Sequence, residues 1–428
     1  MIMRFIKRLL IATLVISPLL TNASLAGAEN LQQSWDIALK HNPMILASAK
    51  QVEAAQIGIE GAKTQRMPSV TGNVGYTWFD NPQVSIAGAA QMQVSEKRMY
   101  SFGANMSLPI YTGGYISSSV KNAEVGLRIA ENDKESLVNT IKLRVAESYI
   151  NILRTRRLMI VAGTRLNSLR SHHKNVEQLL EQGMVAKSDL LSVQASLADA
   201  KQSLLQAKNA NELARSQYNY LLGRDLVHKV VLEDLDHTEI SGSLASFIKQ
   251  AQQNRTELIK IQNQKQSLVA NIDMVRSAIK PNIAFNTGYK YQENSYTKYE
   301  GQWSATIGVQ WKLFDGGQSG KKKSELLRHK SALDDQENDL KNRITLEVRS
   351  AWLKMNETKL RIAVVEEAVS QSEESLRNIK AKYAAGMSTH SEVLDAEALR
   401  ELSSSNYYNA RYDAALARIE LKHAVGAL

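Results

Sequence analysis

The chain contains no cysteine. That excludes disulfide scaffolds, thiolate zinc sites, iron–sulfur ligation and cysteine nucleophiles. Proline is nearly as scarce, with six in 428 residues, at positions 18, 43, 68, 82, 109 and 281. None lies between Thr112 and Lys280 or after Pro281, leaving proline-free runs of 169 and 147 residues. Both runs are rich in Ala, Leu, Glu, Lys, Gln and Arg, a composition that predicts long uninterrupted helices. A doubly wound α/β enzyme or a β-sandwich needs far more turns than this. Long apolar runs are also missing: beyond residue 28 the longest is Leu158 to Gly163. A spanning helix needs about 20 apolar residues, so a membrane could be crossed only with β-strands.

Catalytic signatures are absent too. There is no H-E-x-x-H, G-x-S-x-G or G-x-G-x-x-G. The stretch Gly316 to Ser324 imitates a phosphate loop but has Asp315 where the first glycine belongs. His172 and His173 are adjacent, so they point to different helix faces and do not share a metal. No enzyme activity, cofactor or metal is expected. The formal charge of +10 comes from 53 basic and 43 acidic residues interleaved over the whole length. Opposite charges at helical spacing describe a solvated helical surface, and no nucleic-acid partner is expected.

At the N-terminus Arg4, Lys7 and Arg8 flank an apolar stretch from Leu9 to Leu20, and Ala26-Gly27-Ala28 fits an A-x-A cleavage site. Residues 1–28 are expected to be a secretory signal peptide. Its removal takes away three positive charges and leaves +7.

What is present is written twice. A shift of 203 positions places Gly113-Gly114 on Gly316-Gly317, Gly183-Met184 on Gly386-Met387 and Gly223 on Gly426. Pro68 and Pro281 are 213 apart, so the first copy carries about ten extra residues between Pro68 and Gly113. Two structural repeats are expected, 29–225 and 226–428. Each opens with one helix (Leu31 to about Arg66, and Leu244 to about Ile279), continues through a strand pair and ends in a long helical hairpin. On the hairpins Val138, Ile141, Val145, Tyr149 and Ile152, and Leu340, Ile344, Val348, Trp352 and Met355, form single apolar faces of a 3.6-residue period. Some 70 residues of helix reach about 100 Å, a length suited to a coiled-coil bundle or tube.

Strict period-2 alternation marks four strands, 69–79, 100–110, 281–291 and 303–313. One set reads Val70, Gly72, Val74, Tyr76, Trp78, and another Phe102, Ala104, Met106, Leu108, Ile110. About ten residues is the length of a tilted transmembrane strand. The segments 68–115 and 281–315 hold 15 of the 26 aromatic residues, placed at strand ends as interfacial girdles are. Four strands leave two open edges, which hydrocarbon does not tolerate, and a closed barrel needs at least eight. Two or more chains must therefore combine. The fold class is an internally duplicated α+β membrane protein: four strands per chain contribute to a shared transmembrane β-barrel, and long helices form a coiled-coil tunnel.

This arrangement resembles the TolC-like family of outer-membrane efflux and secretion proteins over essentially the whole mature chain. The likeness rests on Ala38…Asn42-Pro43, on Leu108-Pro109-Ile110-Tyr111-Thr112-Gly113-Gly114 and its counterpart Trp311 to Gly317, and on the turns Gly183 to Asp189 and Gly386 to Asp395. The resemblance implies a homotrimer pooling twelve strands in outer-membrane lipid, continued by a tunnel across the periplasm. It also implies partners, a periplasmic adaptor and an inner-membrane pump or ABC transporter, and a passive exit duct for efflux or type I secretion. The competing class is a periplasmic coiled-coil scaffold or adaptor without a channel. By resemblance, Gly183, Met184, Gly386 and Met387 lie in the tip turns where an adaptor docks. Tyr383 and Asp189 match a constriction, whose Arg position is Ser388 here; Lys187 or His390 could substitute. Glu392 and Asp395 match an acidic ring; residue chemistry alone reads Asp189 and Glu392 as helix-cap acids. One branch of the family is acylated on an N-terminal cysteine, which this chain lacks.

Overall fold

The computed structural model describes residues 28–88, 90–235 and 240–428. Apart from Ala28, the expected signal peptide lies outside the described residues. The first half contains α1 (Leu31–His41), α2 (Pro43–Thr64), β1 (Ser69–Trp78), β2 (Val84–Ala87), β3 (Ala90–Gln93), β4 (Arg98–Thr112), α3 (Tyr115–Glu181) and α4 (Lys187–Leu222). The second contains α5 (Leu244–Asn254), α6 (Thr256–Ser277), β5 (Asn282–Gln292), β6 (Gly301–Gln310), α7 (Gln318–Ala384) and α8 (His390–Ala424). The extra residues of the first half include the hairpin β2–β3, which has no counterpart in the second.

The opening helix of each half is two helices. In the first, Asn42 is extended (φ −65°, ψ 122°), its side chain accepts from the Met44 N–H, and Pro43 starts α2 with the fixed φ a helix needs. The second half breaks at the same place without proline. Arg255 takes φ −69°, ψ 118°, and is held by Glu257 (2.9 Å), Glu347 (2.9 Å) and the Ala424 carbonyl (3.2 Å). Each return helix ends in a left-handed glycine against such a break. A Cβ on Gly223 would lie 2.5 Å from the His41 carbonyl oxygen, and one on Gly426 3.2 Å from Asn254.

The four long strands form one antiparallel sheet in the order β1-β4-β5-β6. Its register aligns Val74 with Phe102, Phe102 with Tyr291, Tyr289 with Trp303 and Phe285 with Ile307. Thr71, Asn105, Asn286 and Thr306 align on the opposite face. The strands lie within three residues of expectation at every end, β4 reaching 98–112 against 100–110, and two departures have a clear cause. A bulge between Pro109 and Tyr111 shifts the register, so Tyr111 and not Ile110 pairs with Ile283; proline has no N–H for the ladder and bulges accommodate it. β6 stops at Gln310, short of the expected 313, because its partner Asn282 is the first residue of β5 and Pro281 beyond it cannot donate.

Both long helices, α3 and α7, contain 67 residues, about 100 Å each at 1.5 Å per residue. None of the helices is long and apolar enough to cross a membrane, among the described residues. Their apolar stripes are buried where α1 and α5 lean on the hairpins. Ala38, Ile141, Val145, Tyr149, Tyr218 and Tyr412 share one cluster; Phe247, Ala251, Ile344, Val348 and Leu421 share the other. Complete burial of an aliphatic side chain stabilises by about 2 kcal/mol, so these stripes join the elements. Tyr149 also places its hydroxyl 2.7 Å from the Glu233 carbonyl and 2.9 Å from that of Glu29. α6 packs between α3 and α7, with Lys265 bridging to Asp334 and Glu337 at 2.5 Å.

Candidate functional site: the helical tip and the sheet

At the end away from the sheet, two tight turns reverse the hairpins. Gly183 (φ 71°) and Gly386 (φ 73°) adopt the left-handed conformation that closes a helix C-terminus. The next residues, Met184 and Met387, are 69% and 72% exposed. The return helix α8 then starts on a full capping box and α4, whose N-cap is Ala186, on its acidic half alone. The Asp189 carboxylate accepts from the Ala186 N–H (3.3 Å), and Glu392 accepts from the Thr389 N–H (3.1 Å) while the Thr389 hydroxyl accepts from the Glu392 N–H (3.3 Å).

The structure joins some of the expected constriction residues and separates others. His390 Nδ1 lies 3.4 Å from Asp189 Oδ1, linking the α8 start to the α4 start. Ser388, which stands at the Arg position, donates its hydroxyl to Glu392 within its own turn. That bond holds the Glu392 carboxyl below its ordinary range, assisted by the Thr389 N–H. Tyr383 directs a buried hydroxyl with no hydrogen-bond partner among the described residues. Burial, and then the Asp189 carboxylate, push that hydroxyl's pKa up. Asp395 is exposed, and Lys187 is exposed with no link to Asp189.

A polar cluster behind the tip has no sequence signal. Glu397 is only 1% exposed, yet it receives Lys380 of α7 (2.5 Å) and Ser168 of α3, with Arg400 at 3.5 Å. His172 lies next to it, its ring edge-on to Tyr383 at 5.2 Å. Burial, reinforced by Lys380 and His390, holds the His172 pKa down at about 4. It is therefore neutral at pH 7, and its Nε2 is buried without a hydrogen-bond partner among the described residues. The partners of Glu397 on α3 and α7 are far away in sequence, so only folding brings them together.

At the other end, the sheet is exposed on both faces. Val74 is 88% exposed, Trp303 78% and Ile307 68%, all on the apolar face. β1 and β6 are its free edges. The sheet offers an apolar wall, a polar wall and two edges to be paired.

A profile of outer membrane efflux proteins matches residues 35–224 and 247–427. Outer membrane protein TolC of Vibrio cholerae is 24% identical over 430 residues, 98% of this chain and 95% of the relative. TolC of Escherichia coli is 20% identical, over 95% and 84%. Among solved structures, the Campylobacter jejuni CmeC outer membrane channel superposes with a TM-score of 0.79 at 14% identity, covering 93% of this chain and 86% of the other. The Neisseria gonorrhoeae MtrE outer membrane channel, in its open state, gives 0.75 at 18% identity over 92% and 88%.

Proposed function

The chain belongs to the outer membrane efflux protein family, and from that premise we propose that three copies close one twelve-stranded barrel above a common helical tunnel whose tip is tied by Asp189 and His390. Membership itself makes the chain an outer-membrane channel of tripartite efflux pumps, extending into the periplasm, and a duct with no enzymatic step. Family channels work with a periplasmic adaptor and an inner-membrane pump. No structural observation favours type I secretion over efflux.

The register of the four-stranded sheet carries the reading. Val74, Phe102, Tyr291, Tyr289, Trp303 and Ile307 share one face, and Thr71, Asn105, Asn286 and Thr306 share the other, which suits a strand wall between lipid and water. With four strands per chain all neighbours stay antiparallel when β6 of one copy meets β1 of the next. Residues 29–225 and 226–428 act as the two repeats. At the tip, His390 takes the place of the missing Arg opposite Asp189, Tyr383 backs it, and Glu392 and Asp395 line the bore. Met184 and Met387, on the tip turns with Gly183 and Gly386, offer apolar contacts to an adaptor.

The deciding measurement combines sedimentation mass in detergent with planar-bilayer recording. Three chains per particle and discrete conductance steps are expected; a soluble monomer without steps overturns the proposal.

A further inference from the structure

The end of the sheet nearest the helices differs from its opposite end in charge. The segments 63–68, 109–118, 277–281 and 311–325, which enter and leave the strands on the helix side, carry seven basic and two acidic residues. The loops at the other end, 79–97 and 293–300, carry two basic and four acidic ones. Of the seven cations, Lys63, Arg66, Lys280, Lys312, Lys321 and Lys323 take part in no ion pair among the described residues, whereas Lys322 meets Glu325 at 2.8 Å. Asp315, one of the two acids, accepts from the Gly317 and Ser319 N–H groups at 2.9 Å and lies close enough to Lys312 to offset part of one charge, which leaves the collar in net excess of cations. Lys321, Lys322 and Lys323 sit in the first turns of α7, where the helix macrodipole disfavours cations, so helix stability does not account for them.

The cations are interleaved with exposed apolar groups. Trp311, Leu313 and Phe314 are 58%, 78% and 84% exposed, and Met67 and Ile279 join them at 64% and 49%. The Trp311 indole N–H donates to the Ile279 carbonyl at 3.0 Å, which fixes this patch against the end of α6. Trp311 follows directly on β6, so the patch continues the apolar sheet face.

We propose that this collar is a binding surface for the headgroup phosphates of anionic phospholipid in the periplasmic leaflet, with Lys312 and Lys321 to Lys323 meeting the phosphates and Trp311, Leu313 and Phe314 the upper acyl region. The occupant follows from charge complementarity and from continuity with the apolar face. Each basic group near an anionic lipid surface adds to the attraction, and salt screens it within a Debye length. The inference rests on the barrel reading above.

The test uses the purified full-length oligomer in nanodiscs containing brominated phosphatidylglycerol or brominated phosphatidylcholine. Quenching specific to Trp311 is taken as the difference between the native protein and Trp311→Phe. Phosphatidylglycerol should quench preferentially at low salt, the preference should fade in 0.5 M salt (about 4 Å screening length), and millimolar inorganic phosphate should not displace it. Replacing Lys312, Lys321, Lys322 and Lys323 together by Gln should weaken the preference about tenfold; the same four changed to Arg should keep it, which controls for folding. Equal quenching by both lipids, a preference unchanged in the Gln variant, or displacement by inorganic phosphate would overturn the proposal. Conductance steps retained in that case would leave the channel reading standing, and their loss in the native protein would remove the channel reading instead.

Discussion

In the proposed channel, single residues tie the tip. The Asp189–His390 pair spans the starts of two return helices, and removal of its acid deletes that one link between the hairpins at their ends. Asp189→Ala is expected to raise single-channel conductance in planar bilayers; an unchanged conductance would reduce Asp189 to a helix cap. His172 supplies a pH dependence of known sign. Its folded pKa of about 4 lies below the ordinary 6.5, so its contribution to stability is complete above pH 6.5 and is lost as pH falls toward 4. The groups facing it are Lys380, His390, His173, Glu397 and Tyr383. The shift corresponds to about 3 kcal/mol at most. Protection factors near residue 172, which are exchange rates referred to the intrinsic rate at each pH, should therefore fall between pH 6.5 and 4.5, and His172→Phe should flatten that fall. The caps around Gly183 and Gly386 were legible as motifs, since glycine followed by an acid-capped helix start is local chemistry. The Glu397 cluster was not, because Ser168 and Lys380 come from other helices and only folding brings them together.

At the level of elements, the duplication was visible in the glycine spacing, and the reason is physical. Gly223 and Gly426 end return helices at places where a neighbouring helix pair breaks, so they recur with the break. Gly223→Ala introduces a positive φ for a Cβ-bearing residue and a contact 2.5 Å from a carbonyl oxygen. It should cost about 2 kcal/mol or more, read as a lowered melting temperature, and Gly426→Ala, with its 3.2 Å contact, should cost less. The breaks themselves were half legible. Asn42-Pro43 announces one, but Arg255 ends α5 only through Glu257, Glu347 and Ala424, two of them distant in sequence. The strands were legible because period 2 was strict; their ends were not, since the bulge at Pro109–Tyr111 and the stop at Gln310 depend on which residue lies opposite.

The whole molecule is organised by the two faces of its sheet. Neighbouring positions on one strand should respond in opposite ways to the same charge. Ile307→Lys puts a cation on the lipid face, at a cost of about 2–4 kcal/mol near the bilayer middle, and should reduce the amount of assembled oligomer in outer membranes. Thr306→Lys, one residue earlier and on the polar face, should assemble normally and shift the channel toward anions. Assembly of both variants in equal amounts would contradict the assignment of faces. Oligomer number was not readable from residue physics, which only demands that the open edges of β1 and β6 be paired.

The equal lengths of α3 and α7 carry a further consequence. Counted twice at 67 residues, they make the chain a gauge with two matched legs. Both turns are then expected to stop at one depth, so that the proposed rim is level. A heptad is about 10 Å of helix, so shortening one leg by seven residues on each of its helices would step the rim by that amount. Only the same cut in both legs would keep it flat, and the tip proposed to meet an adaptor would then reach a nearer surface unchanged in shape.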